Sequence, residues 1–164
     1  MTMATDLSLD DYNINVTERA HGLLDKYSQT HASVSKSRLS SPFKTMKDVF
    51  MTAAYLGAQA GNPRPLEGKR VSPFKGSVLN PEEQLYLQAL AIGHLESVEA
   101  LADPQQVVRV AEEFANAGML RLQEIADEGG EDALWNLVNF FLGELSSSAG
   151  GGSGGAEKKK SERA

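Results

Sequence analysis

A chain of 164 residues with 41% hydrophobic and 23% charged residues has the size and composition of one ordinary globular domain. It has no cysteine, which excludes disulfides, thiolate metal sites and cysteine nucleophiles, and no run near the roughly 20 apolar residues that cross a bilayer. The net charge of −6 is unevenly spread: residues 43–76 hold six Lys/Arg against two Asp/Glu, a balance of +4, and residues 77–145 hold two against thirteen, a balance of −11.

Residues 1–11 are polar and acidic, without the basic start and apolar run of a secretory leader, so the expected location is cytoplasmic. The first element is a predicted helix over residues 10–27, on an imperfect stripe of Ile14, Val16, Ala20, Leu23, Leu24 and Tyr27. Asn13 and Asn15 are poor helix formers, which moves its start toward Val16. Residues 28–41 are rich in Ser and Thr and read as a mobile linker.

Ser41 as cap and Pro42 at the first position predict the start of a second helix. Its buried face is Phe43, Met46, Val49, Phe50, Ala53, Ala54 and Leu56, and Gly57 or Gly61 ends it. Pro63, Pro65 and Pro73 forbid a long helix in the basic loop that follows, which leaves room for a short extended segment over residues 69–74. Asn80-Pro81-Glu82-Glu83 is the strongest helix start in the chain, and the broadly apolar helix after it is expected to be central. Residues 95–101 continue that helix or form a separate turn. Asp103-Pro104 starts a helix to about Asp127, with Gly118 inside it marking close packing or a bend.

Gly129-Gly130 breaks the chain, and Glu131 and Asp132 open a last helix over residues 133–145 that is apolar nearly all round. From Ser146 the Gly/Ser composition, ending in Lys158, Lys159 and Lys160, predicts a disordered tail. The organisation expected is an N-terminal helix and linker over 1–40, a helical domain over 41–145, and a tail over 146–164. The fold class is mainly α, an irregular bundle of four to five helices with a Pro/Gly-rich basic loop.

No arrangement of side chains announces catalysis. His21, His31 and His94 lack metal-binding spacing, no phosphate-binding loop or nucleophile elbow occurs, and the paired carboxylates read as first-turn or solvated charges. No catalytic, cofactor or metal site is expected. Two sets of residues are candidates for contact with a partner. Arg64, Lys69, Arg70 and Lys75, with Phe74 among them, form a basic loop that suits a protein partner, the chain's own acidic helices, or the phosphates of nucleic acid. The acidic remainder of the domain disfavours the nucleic-acid alternative. Trp135, Phe140 and Phe141 on the last helix suit a protein partner or self-association.

Three stretches carry a family resemblance. They are Ser41-Pro42-Phe43 leading to Leu56-Gly57, then Gly68-Lys69-Arg70-Val71-Ser72-Pro73-Phe74, then Val110 to Met119, which contains Phe114-Ala115-Asn116-Ala117-Gly118. In this order they resemble the Dnd (DNA phosphorothioation) system-associated protein four family. The chain has Val71-Ser72-Pro73 where that family has Val-Pro-Leu, and Asn116-Ala117-Gly118 where it has Asn-Gly-Gly, departures that also suit a sister family from a phage-defence island. The resemblance implies a bacterial accessory protein of a DNA-modification or phage-defence system, and with no convergent polar set in the sequence the expectation is a non-enzymatic protein that works by protein–protein contact. Protein partners from that system come first and DNA second, a homo-oligomer is compatible, and a membrane is not expected.

Overall fold

The computed structural model describes residues 7–30, 36–130 and 132–150. The expectations for His31, the middle of the linker, Glu131, and the tail beyond Gly150 with Lys158, Lys159 and Lys160 fall outside those residues. The described residues form five α-helices and one two-stranded sheet, so the chain is mainly α with a short β ribbon.

The first prediction needs correction. Residues 13–17 are a strand, β1 (Asn13–Thr17), and only the second half of the expected helix forms, as α1 (Glu18–Tyr27). Ile14 and Val16 are buried and alternate with Asn13, Asn15 and Thr17, a period of two that also satisfies a loose helical stripe. Thr17 then caps α1 by accepting the Ala20 N–H at 3.1 Å. The partner of β1 is β2 (Arg70–Lys75), antiparallel, with Ile14 opposite Phe74 and Thr17 opposite Arg70. Between those pairs the register slips, with Ser72-Pro73 facing Asn15 alone. A proline, which has no N–H to give, suits that bulge.

The second helix, α2 (Met46–Ala60), starts later than Ser41-Pro42 suggests. Thr45 and Asp48 form a capping box: Thr45 Oγ1 accepts the Asp48 N–H and the Asp48 carboxylate accepts the Thr45 N–H. Ser41 is buried instead and donates its hydroxyl to the Lys26 carbonyl at 2.6 Å. The ends of the 28–41 segment are pinned, Phe43 N–H to the Tyr27 carbonyl and Gln29 N–H to the Phe43 carbonyl. Gly61, in a left-handed conformation (φ 74°), closes α2.

The long helix α4 (Pro104–Ala126) lies across α2 and makes the middle of the core. Their backbones touch at two glycines. A Cβ on Gly57 would stand 1.9 Å from the Phe114 carbonyl oxygen, and one on Gly118 would stand 1.7 Å from the Ala53 carbonyl oxygen. Gly118 is therefore a point of close approach, as its place in the helix suggested. The expected centrality of α3 (Pro81–Leu95) is not found: Leu87 and Ala91 are its buried residues, and Leu85 is 63% exposed. Its start is as predicted, with Asn80 and Glu83 in a reciprocal capping box. Past Leu95 the chain turns through Glu96 into a separate 3₁₀ turn, Val98–Ala102.

The last helix, α5 (Ala133–Gly150), runs past Leu145. The helix continues through Ser146, Ser147 and Ser148, whose hydroxyls each donate at 3.0 Å to the carbonyl four residues earlier, where their composition was expected to begin a disordered tail. Asn136 fixes its start by donating to the Ala126 and Glu128 carbonyls.

Candidate interaction surfaces

The basic loop is held rigidly by α4. The Arg64 N–H donates to the Glu113 carbonyl at 3.0 Å, and the Asn116 amide donates to the carbonyls of Arg64 and Pro65, each at 3.1 Å. The Arg64, Lys69, Arg70 and Lys75 side chains are exposed. They are not one cluster, because β2 separates Lys75, opposite Asn13, from Arg70, opposite Thr17. Phe74 is half-buried and meets the Phe50 ring edge-on at 5.5 Å, which ties it to the core. Lys69 lies 3.4 Å from the Glu18 carboxylate, an exposed pair that contributes under about 1 kcal/mol. Lys47, from the same basic segment, reaches Glu83 on α3 at 2.9 Å. These two pairs join basic residues of the segment to carboxylates on α1 and α3 of the same chain.

The fold adds a cation that the sequence did not group with these. Arg19 on α1 lines the same small pocket as Arg64, over a floor of Ala20, Leu23 and Met119. No local signal in the sequence links the two residues; α4, which clamps Arg64 and packs against α1, brings them together. On the neighbouring side Arg70 rims an open polar cleft of about 580 Å³, shared with Asp103, Arg109 and Glu112. Glu112 is 5% exposed and its carboxylate accepts the N–H of Asn15, the residue opposite the bulge. Burial pushes the Glu112 carboxyl above the usual carboxylate range, against the opposing pull of that hydrogen bond and of the Arg70 charge. Its geometry is that of a sheet-edge cap.

The aromatic set on α5 divides by face. Phe140 and Phe141 turn toward the body, Phe140 beneath the Arg121 guanidinium at 5.3 Å and Phe141 against Tyr55 at 6.4 Å. Trp135 turns outward and is 53% exposed, with Leu142 at 56% and Leu145 at 67% on the same side. The predicted all-round apolar character is thus used twice, once in the core and once on the surface. An apolar row of this size is unusual on a surface that has no partner.

His94 packs edge-on against Phe114 at 5.2 Å. Among the described residues no three His, Cys, Asp or Glu side chains are grouped to hold a metal ion, and no helix is long and apolar enough to cross a membrane. Together the helical crossing, the clamped basic loop and the divided last helix define a small, mainly α protein with an exposed basic loop and an exposed apolar row. Residues 25–153 match the family described as DNA sulphur modification system-associated protein 4, and the chain belongs to that family. No curated protein and no solved structure matches it. The three stretches that carry the resemblance prove to be structurally connected. They supply Gly57 and Gly118 at the α2–α4 crossing, Phe74 on Phe50, and the Asn116 clamp on the loop.

Proposed function

We propose that this protein is a non-catalytic accessory of a bacterial DNA sulphur modification system that works by protein–protein contact, with the outer face of α5 as its contact surface. The observation that carries the reading is the exposed row of Trp135, Leu142 and Leu145 on a helix whose other face is packed into the domain. The row lacks the cations that phosphate binding needs, so it fits a protein partner. Family membership supplies the context, and with it the proposal extends to a cytoplasmic site of action and a role in defence against phage. The test is co-purification of the system's other proteins with the tagged full chain. The wild-type chain is expected to retain at least one of them, and a Trp135→Ser/Leu145→Ser variant of unchanged helicity to lose most of it. Failure of the wild-type chain to retain any would overturn the reading.

One observation favours a second reading, direct contact with nucleic-acid phosphates: Arg19 joins Arg64, with Lys69 and Arg70 nearby, in a rigid setting. Such binding is strongest at low salt. Absence of any gel shift with duplex or single-stranded DNA at about 50 mM salt removes it.

A further inference from the structure

We infer that the partner seated on the outer face of α5 is a second copy of this chain, the two helices packing antiparallel as a two-fold seam. The inference rests on the reading of that face as a protein contact and names its occupant. Trp135, Val138, Leu142, Leu145 and Ala149 follow one another at steps of three, four, three and four residues. That is the spacing at which two helices interlock side chain into gap along their length. Trp135, Leu142, Leu145 and Ala149 are exposed and Val138 is half-buried, so the row is open along almost the whole helix. From Trp135 to Ala149 the row runs roughly 21 Å at 1.5 Å per residue.

Charge identifies the occupant. The chain carries −6, and its acidic surface repels another copy at most orientations. Between Ala133 and Gly150 the one charged residue is Glu144, and it points away from the row, accepting a hydrogen bond from Gln59 of α2 at 3.4 Å. Asn139 and Ser146 flank the row on one side and Ser148 on the other, all uncharged. Two acidic chains can meet here without opposing like charges, whereas a partner selected by charge finds nothing to pair with. The antiparallel sense follows from side-chain size. Parallel helices would set Trp135 against Trp135 and leave Ala149 facing Ala149, a crowded end and an empty one. Reversing one helix lays Trp135 against the slimmer Leu145–Ala149 end of its partner and also opposes the helix dipoles. A two-fold dimer of this kind leaves the rest of each surface free, so the system's other proteins are held by the dimer and are lost with it when the row is changed.

The experiment is light scattering on the full chain from about 1 to 100 µM, the range in which small interfaces associate, with Leu142→Glu and Leu145→Glu variants alongside. The wild-type chain is expected to rise to twice the monomer mass across the range and both variants to stay monomeric. Because both leucines are more than half exposed, the variants should keep the wild-type circular dichroism, so loss of the dimer reports the seam and not the fold. A wild-type chain monomeric at 100 µM, or a dimer untouched by both substitutions, overturns the inference. If the wild-type chain is monomeric and the Trp135→Ser/Leu145→Ser variant still loses its co-purifying partner, the inference fails and the contact reading stands. If that variant changes neither mass nor co-purification, both fail.

Discussion

Gly118→Ala is the sharpest perturbation of the fold. The added Cβ would lie 1.7 Å from the Ala53 carbonyl oxygen and 2.6 Å from the Gly57 nitrogen, where ordinary contact begins near 3.4 Å. Both obstructing atoms are backbone within α2, so no side chain can rotate out of the way. The helices must separate, which loosens Phe50, Ala53 and Ala54 against Ala111, Phe114 and Ala115, all buried. Overpacking of a tight core costs about 1–3 kcal/mol, and loss of contacts along the crossing adds to it. Alanine returns about 1 kcal/mol through its better helix propensity. The net loss expected is about 3 kcal/mol, which lowers Tm by roughly 6–12 °C in a protein of this length. Thermal and urea melts at one fixed concentration measure it. Gly93→Ala is the control: Gly93 lies in α3 with open space around it, and the substitution should stabilise by about 0.5–1 kcal/mol. A Gly118→Ala protein melting at or above the wild-type temperature would refute the argument that backbone contact dictates glycine at this crossing.

Two further outcomes follow from individual contacts. Thr45→Ala removes half of the capping box of α2 and should cost about 1 kcal/mol in urea unfolding, while Ser41→Ala leaves the start of α2 in place because Ser41 does not cap it. Glu112, with its pKa raised in the folded state, contributes stability that is fully present below its unfolded pKa and lost as pH rises through the folded value. Glu112→Gln keeps an acceptor for the Asn15 N–H without the charge. The variant should therefore gain on the wild type as pH climbs from below the ordinary carboxylate range toward neutrality, and parallel stability-versus-pH curves for the two proteins would show that burial does not govern Glu112.

The electrostatics of the molecule look different once the chain is folded. Read along the sequence, a basic segment precedes an acidic half, and the two invite a simple picture of opposed regions. In the fold the basic segment is divided among separate tasks. Lys47 faces α3, Lys69 faces α1, Arg70 stands beside the buried Glu112, and Arg64 meets Arg19 across a pocket. This last pairing gathers like charge without a carboxylate in the same pocket, and it includes a residue from outside the segment.

Local signals were legible wherever a short stretch of chain is sufficient to satisfy itself. The Asn80-Pro81-Glu82-Glu83 cap, the Asp103-Pro104 start, the break at Gly129-Gly130 and the strong period of α4 all depend on neighbours within a few residues, and all appear as read. The extended segment near Lys69–Phe74 was legible from the prolines that forbid a helix there, though its partner was not. Where two local readings compete, the sequence pointed to the wrong one. Ser41-Pro42 and Thr45-Met46-Lys47-Asp48 both resemble helix starts, and the second wins because its two side chains satisfy two backbone donors reciprocally. The Gly/Ser composition after Leu145 signals flexibility, yet α5 continues through the three serines to Gly150.

By itself, then, the sequence determined the helical class, the caps of α3 and α4, the position of the basic loop and the apolar excess of the last helix, because propensity, capping and periodicity act over one or two turns. The tertiary structure alone decided that residues 13–17 form a strand, since a two-residue period becomes a strand only when a distant segment offers its hydrogen bonds. It alone decided that α4 and not α3 is central, because Gly57 and Gly118 let the backbones of α2 and α4 touch. It decided as well which side of α5 faces outward. An apolar helix declares how much surface it must cover, and only the place where α2 and α4 receive it determines that Phe140 and Phe141 go in and Trp135 and Leu142 stay out.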